Sequence, residues 1–254
     1  MHKVTLSQLL DTLTSLGIHS GDNLLVHSAI QFLGKPEEGL ETYLRALQTA
    51  IGPQGTLAVP TFNFGFARGE RFDRQETPAQ GMGVFSEYVR QQPEAKRTPH
   101  PLQSLALIGP LAEQLSNLDT PCAFDPGSAF EKLLELDFKL LLLGADVQAV
   151  SMIHYSEQRA RVPYRYWKDF RGEVRTGQGW EMRTYRMFAR DLELDPQLDL
   201  RPVQALLEQR GQWQAARLNY GWLSTCKLKD FAAAADDLLA KDPWAIVAQP
   251  LREA

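Results

Sequence analysis

The run Phe-Lys-Leu-Leu-Leu-Leu-Gly at residues 138–144 constrains the fold more than any other part of the chain. Four consecutive leucines leave no polar face, so a strand formed here must be covered on both sides, as in the centre of an α/β sheet. Two further apolar segments, 23–28 and 55–62, are separated by an amphipathic segment at 39–52. This order of strand, helix and strand predicts a parallel pair joined by a helical crossover.

The remaining pattern extends the α/β arrangement. The first helix begins at a Thr-x-x-Gln capping box formed by Thr5 and Gln8. Further helices are predicted at 83–93, 109–117, 128–136, 203–211 and 229–243. Residues 165–189 alternate aromatic and polar side chains around Gly-Gln-Gly, which is typical of an antiparallel hairpin or meander, and residues 212–226 fit one or two more strands.

These elements predict one domain over residues 1–254. We expect a three-layer α/β/α fold with a mixed, mostly parallel central sheet. An antiparallel and helical portion is expected from about residue 164 onward.

Composition limits the function classes. The 254 residues include 31 acidic and 27 basic ones, with no block of five basic residues, so nucleic acid is a disfavoured partner. Cys122 and Cys226 lie far apart without a Cys-x-x-Cys motif, as in reduced cytosolic proteins. The first residues lack the apolar core of a signal peptide, and no apolar run approaches the ~18 residues of a membrane span. We expect a soluble, cytoplasmic monomer or homodimer without a membrane partner.

Residues 151–160, Ser-Met-Ile-His-Tyr-Ser-Glu-Gln-Arg-Ala, contain the first candidate site. His154 and Glu157 share a helix face if a helix begins at Ser151, with Cβ atoms about 5–6 Å apart. The segment follows the strand at 138–144, and ligand sites in α/β sheets lie at the carboxyl ends of strands. Imidazole titrates nearest to neutrality and suits proton removal. A histidine that only packs against the sheet is the alternative.

Two other segments could bind an anion. Prolines stiffen the loop at 97–104, which presents polar side chains suited to a phosphate: Arg97, Thr98, His100 and Ser104. A plain surface connection is the alternative for this loop. His27 and Ser28 end a predicted strand, where a polar turn can also bind an anion.

Carboxylates are concentrated in or beside the irregular stretch at 63–93. They could bind an amine as its ammonium form, although most such charges are solvated surface. The candidates are Glu70, Asp73, Glu76 and Glu87.

Taken together, several segments resemble the aminoglycoside 3-N-acetyltransferase family, in the right order from about residue 20 to about residue 170. The segments are residues 24–34, 52–62, 71–115, 140–146 and 153–165. The specific motifs are Arg-Thr-x-His-Pro-x-x-Ser at 97–104 and Ile-His-x-x-Glu at 153–157. The resemblance implies an α/β/α N-acetyltransferase that uses acetyl-CoA as co-substrate and no metal. Its acceptor would be an amine of an aminoglycoside, another amino sugar or a small amine.

The resemblance also implies roles for individual residues. His154 would be the general base, supported by a carboxylate from the later part of the chain, Asp191 or alternatively Glu193. The coenzyme A site would comprise His27, Ser28, Ala29, Phe32, Leu33, Gly34, Arg97, Thr98, His100 and Ser104. The acceptor would be contacted by Asn63, Asp73, Glu87 and Glu157, the last also counted with the catalytic residues. Ala29 stands where many relatives carry a second serine.

Two other functions remain open. A metal-dependent hydrolase would use His27, His100, His154 and Asp146 as ligands, although no His-Glu-x-x-His spacing occurs. A non-catalytic family member that only binds coenzyme A is the second. Metal content separates the first from an acetyltransferase, and coenzyme A binding without acetyl transfer would identify the second.

Overall fold

The computed structural model describes residues 3–248, so both ends of the predicted domain, residues 1–2 and 249–254, lie outside the described residues. The strands of this part are β1 Lys3–Val4, β2 Leu24–Ser28, β3 Lys35–Pro36, β4 Leu57–Pro60, β5 Lys96–Arg97, β6 Leu105–Ile108, β7 Lys139–Leu143, β8 Arg165–Thr176, β9 Gly179–Arg190, β10 Gln214–Leu218 and β11 Gly221–Lys227. The α-helices are α1 Leu6–Ser15, α2 Leu40–Ile51, α3 Gly83–Arg90, α4 Ala112–Ser116, α5 Ala129–Glu135, α6 Ile153–Ala160, α7 Arg201–Gln209 and α8 Leu228–Lys241.

The central sheet has seven strands in the order β10-β11-β7-β2-β4-β6-β5. Strand β2 pairs in parallel with β4 and with β7, which confirms the predicted crossover. The other four pairings are antiparallel. The prediction of a mixed sheet is therefore confirmed, but "mostly parallel" was wrong. An apolar run shows that a strand is buried on both faces, and it does not show the direction of its neighbours.

The four leucines of β7 divide between the two faces of the sheet. Leu140 and Leu142 belong to one apolar cluster, and Leu141 and Leu143 belong to the other. The first cluster contains residues of α4, α5, α7 and α8, and the second contains residues of α1, α2 and α3. Helices therefore cover both faces, as the sequence predicted for this strand.

The predicted hairpin is also confirmed. Strands β8 and β9 pair over twelve residues each and form a separate two-stranded sheet. Its middle packs on the body of the domain through a small apolar cluster of Phe66, Phe72, Leu102, Val174 and Tyr185. Arg186 of β9 donates its backbone N–H to the carbonyl of Pro121, at 2.8 Å.

Helix starts follow the sequence closely. Gln8 N–H donates to Thr5 Oγ1 at 3.1 Å and Thr5 N–H to Gln8 Oε1 at 3.0 Å, so the first capping box is complete. Ser128 caps α5, but the carboxylate of Glu131 accepts from Gly127 N–H rather than from the cap itself. None of the helices described between residues 3 and 248 is both long and apolar enough to span a bilayer.

Candidate active site

The connection from β7 to α6 passes close to the end of β2. Gly144 follows β7 with φ +75°, and a Cβ there would lie 2.5 Å from the carbonyl oxygen of Ala29. Glycine is therefore required at this turn. The chain then forms a short 3₁₀ turn, Val147–Ala149, whose start is capped by the Asp146 side chain accepting from Gln148 N–H.

His27 holds the residue that precedes α6. Its Nε2 lies 3.0 Å from the Ser151 backbone nitrogen, whose N–H donates to it, and 2.9 Å from Ser151 Oγ. The side chain is only 4% exposed, and burial lowers the pKa of His27 to about 3, so the ring is neutral. His27, which was predicted to contact coenzyme A, is buried and positions the start of α6.

His154 and Glu157 form a hydrogen-bonded pair on α6. Nδ1 of His154 lies 2.7 Å from Oε2 of Glu157, so the two residues do share a helix face as predicted. The Glu157 side chain is 0% exposed, whereas that of His154 is 26% exposed. In the part of the chain that the structure describes, no protein hydrogen bond is made to Nε2 of His154.

The charge state of Glu157 sets the tautomer of the ring. Burial alone would raise its pKa, but the hydrogen bond and the charge interaction with His154, followed by the positive charge of Arg165, outweigh burial and lower it. Nε of Arg165 lies 2.9 Å from Oε1 of Glu157. An ionised carboxylate accepts the proton of Nδ1, so in the neutral ring the lone pair lies on Nε2.

Asp191, the predicted carboxylate partner of His154, makes its hydrogen bonds elsewhere in this structure. Asp191 follows β9, and its Oδ1 accepts from the backbone N–H groups of Glu193 and Leu194, at 2.9 and 3.3 Å. It shapes the turn after the hairpin, and Glu157 on the same helix as His154 is the ring's partner. Glu157 in turn does not face an acceptor, because it is buried between His154 and Arg165.

The loop at 97–104, which was predicted to bind coenzyme A, is largely internal. Arg97 donates from Nε to Ser104 Oγ at 2.9 Å and from Nη2 to the carbonyl of Thr61 at 2.7 Å. Burial, followed by the charge of Arg90, lowers the pKa of Arg97 to about 9. Ser104 is fully buried, so neither its hydroxyl nor the bonded guanidinium nitrogens are available to a phosphate.

Thr98 and His100 of the same loop also have hydrogen-bond partners within the protein. Thr98 Oγ1 accepts from Leu105 N–H at 2.9 Å, and His100 Nδ1 accepts from Gln103 N–H at 3.1 Å. The His100 ring packs edge-on against Tyr185 of β9, with centroids 5.0 Å apart. Burial lowers the pKa of His100 to about 4. The loop ties the edge of the sheet to the hairpin.

The residues predicted to hold the acceptor also serve the fold. Asn63 is buried, accepts from Gly65 N–H and donates to the carbonyl of Pro78, both at 2.7 Å. Asp73 Oδ1 accepts from Gln75 N–H at 2.8 Å and stabilises a turn. Glu87 pairs with Arg90 at 2.6 Å; burial opposes its ionisation, but Arg90 and Ala79 N–H outweigh this and lower its pKa. All three side chains thus have partners within the protein, and their contact with an acceptor stays a prediction.

A cavity of about 720 Å³ lies at the carboxyl ends of β2 and β7. Three residues of the predicted coenzyme A set line it, namely Ser28, Ala29 and Phe32. Leu33 is fully buried in the core and does not line it, and Gly34 is not among the lining residues. Sequence reasoning missed the aromatic wall formed by Trp213, Tyr220 and Trp222. Their position depends on β11 pairing with β7, which local patterns do not reveal.

The four residues proposed for a metal centre do not converge. His27 bonds to Ser151, His100 to Gln103 and His154 to Glu157. Between residues 3 and 248, no group of three or more histidine, cysteine, aspartate or glutamate side chains is arranged to hold a metal ion.

The fold and the site define an α/β protein with a histidine–glutamate pair on α6 and a cavity lined by residues at the carboxyl ends of β2 and β7. Residues 25–240 match the model of the aminoglycoside 3-N-acetyltransferase family, and the chain belongs to this family. The predicted resemblance is thereby confirmed.

Individual relatives show the extent of the similarity. Aminoglycoside N(3)-acetyltransferase III of Salmonella sp is 33% identical over 187 residues, which are 64% of this chain and 63% of that protein. The match thus spans less than two thirds of this relative's length. A crystal structure of the aminoglycoside acetyltransferase AAC(3)-IVa, a histidine-to-alanine mutant in complex with a gentamicin, is 26% identical with a TM-score of 0.82, covering 98% of this chain and 93% of that one. AAC-IIIb, in a binary complex with CoASH, has the same fold, with a TM-score of 0.83 at 23% identity over 94% of this chain and 97% of that one.

Proposed function

We propose that this protein is an acetyl-CoA-dependent N-acetyltransferase that acetylates an amino group of an aminoglycoside, with His154 as general base. One observation carries the proposal. The buried Glu157, whose pKa is lowered, accepts the Nδ1 proton of His154, which leaves Nε2 of the neutral ring with a lone pair. Membership of the aminoglycoside 3-N-acetyltransferase family supplies the reaction class.

The residues of the pair act in a defined order. An aminoglycoside amine is largely an ammonium ion at neutral pH, and only its deprotonated form has a lone pair for attack. The ammonium first loses one proton to solvent, and Nε2 of His154 accepts a second proton as the nitrogen attacks the thioester carbonyl, while the new C–N bond forms and the C–S bond breaks. Glu157 stabilises the imidazolium, and the proton then passes to the departing sulfur or to solvent. Such general-base help is typically about 10²–10⁴-fold in rate.

The cavity beside β2 and β7 supports a site for the donor. Its volume of about 720 Å³ and its mixture of aromatic and polar lining residues suit the pantetheine arm of acetyl-CoA, which carries two amides and a hydroxyl between its carbon segments. Ser28 offers a hydroxyl at the mouth, and Phe32 is 58% exposed and available for contact. A protein of the same fold has been crystallised with CoASH, which agrees with this assignment.

The acceptor class follows from the relatives rather than from the residues that sequence reasoning selected. A relative of this fold was crystallised with a gentamicin and also with apramycin. Both ligands are polyamines, and the net charge of −4 on this protein favours the approach of a polycation.

The test compares His154→Ala with the purified protein, using release of free thiol from acetyl-CoA in the presence of gentamicin, apramycin or a pool of other amines. We expect kcat to fall by at least about 10²-fold. Coenzyme A affinity, measured by calorimetry, should change by less than about threefold, since an imidazole alone does not hold the coenzyme.

The matched control is His19→Ala, because His19 is an exposed histidine away from the site. Glu157→Gln supplies a graded variant, since it keeps the shape of the side chain and removes its charge. Turnover of His154→Ala at the level of the His19→Ala control would end the assignment of the base. Binding of coenzyme A without transfer to any amine would identify a non-catalytic family member instead.

A further inference from the structure

Arg165 contacts both members of the histidine–glutamate pair. It is the first residue of β8, and its side chain is 10% exposed. Besides its ion pair with Glu157 at 2.9 Å, its Nη2 lies 3.2 Å from Nδ1 of His154. Its Nη1 donates to the carbonyl of Phe188 on β9 at 3.2 Å, so the guanidinium is held at the base of the hairpin.

The position of Arg165 affects the charges of both Glu157 and His154. A fully buried carboxylate without a countercharge is costly and draws a proton onto itself or its neighbour. Arg165 supplies a countercharge, which favours the ionised form of Glu157. Its Nη2 beside Nδ1 also opposes a second positive charge on the ring. Both effects weaken the hold of His154 on an extra proton.

The other groups around the ring do not supply this charge. Phe124 faces His154 edge-on at a centroid distance of 5.8 Å and is uncharged. Tyr164 precedes Arg165, and burial together with the negative charge of Glu157 raises its pKa, so its phenol is neutral. Within the described chain, Glu157 and Arg165 are therefore the charged groups in contact with His154.

We propose that Arg165 is a positioning residue that neutralises Glu157 and thereby keeps His154 uncharged, with Nε2 free to accept a proton at neutral pH. Its catalytic consequence rests on the proposed function. Its effect on the charge of the ring does not, and that effect can be measured in the absence of any substrate.

The experiment follows ring ¹⁵N and ¹H signals of His154 by NMR between pH 5 and 9 in substrate-free protein. In Arg165→Gln we expect the midpoint of the His154 titration to rise by about one pH unit or more, because a neighbouring charge shifts such equilibria by about 1–3 units. Arg165→Lys retains the charge and should move the midpoint by less than half as much. Arg171→Gln is the matched control, since Arg171 is an exposed arginine on the same strand.

An unchanged midpoint in folded Arg165→Gln would overturn the proposal. If that variant does not fold, Arg165→Lys decides: a small rise with lowered kcat supports the proposal, and a rise of about one unit despite the retained charge overturns it. The acidic limb of the kcat/KM profile should move in the same direction as the NMR midpoint. Absence of acetyl transfer by the wild-type protein would refute the proposed function alone, because the NMR titration still tests Arg165.

Discussion

Acidification should destabilise this protein through two buried histidines. In the folded state the pKa of His27 is lowered to about 3 and that of His100 to about 4, both by burial. In the unfolded chain both return to their ordinary value of 6.5. Below pH 6.5 the unfolded chain binds protons at these two histidines that the folded protein does not bind, so the free energy of unfolding falls as pH falls.

The size of this loss depends mainly on the unfolded chain. At pH 5 the unfolded state gains RT ln(1 + 10^1.5), or about 2 kcal/mol, from each histidine. A folded pKa anywhere below 4 gives nearly the same result, so the estimate does not depend on the depth of the shift. His27 and His100 together should therefore remove about 4 kcal/mol between pH 8 and pH 5.

Substitution of His27 isolates its share. His27→Gln removes the titrating ring, and it also weakens the contact with Ser151, so it should be less stable than the wild type at pH 8. Urea unfolding at pH 8, 7, 6 and 5 gives the difference in the free energy of unfolding between the two proteins. We expect this difference to shrink by about 2 kcal/mol at pH 5, since only the wild type loses stability through protonation of His27 in the unfolded chain.

The control for this series is His19→Gln, which replaces an exposed histidine. Titrating carboxylates are common to all three proteins and cancel in the differences. A wild-type minus His27→Gln difference that stays constant from pH 8 to pH 5 would show that His27 is protonated in the folded protein, and the reasoning would fail.

Two further substitutions test the turn after β7 and the buried loop. Gly144→Ala should lower the free energy of unfolding by at least about 3 kcal/mol in a denaturant assay, because its Cβ would meet the Ala29 carbonyl in a strained backbone conformation. The control is Gly127→Ala, where φ is +80° and the surrounding space is open, and it should lower the free energy of unfolding by only about 1 kcal/mol. Arg97→Met should cost about 3 kcal/mol or more by leaving buried acceptors unpaired, whereas Arg45→Met, in an exposed ion pair, should change stability by less than about 1 kcal/mol. Equal losses within either pair would contradict the argument.

Local patterns predicted the elements better than their arrangement. The Thr5–Gln8 capping box and the hairpin at 165–190 were predictable because each depends on neighbouring residues. The directions of β6 and β11 were not predictable, since an apolar run is compatible with either direction. The spacing of His154 and Glu157 was sufficient to place both on one helix face.

Other site residues were missed or misassigned for a physical reason. Arg165 reaches the pair only because β8 begins beside α6, and nothing in its local sequence marks it. Arg97 and Ser104 were predicted to bind phosphate, yet they bond to each other. The same polar residue types form hydrogen bonds within a buried loop and bind ligands, so the sequence alone does not distinguish the two roles.

The four identical side chains of β7 have a consequence for how its register is chosen. A strand of leucines packs equally well after a shift of two positions, so its interior carries no alignment information. That information resides at its ends. At one end, Nζ of Lys139 is anchored 2.6 Å from Asp22 and 2.8 Å from the carbonyl of Gly17. At the other end is Gly144, where a side chain would collide with the carbonyl oxygen of Ala29. Lys139 and Gly144 thus fix the register of β7, and with it the position of the helix that carries His154.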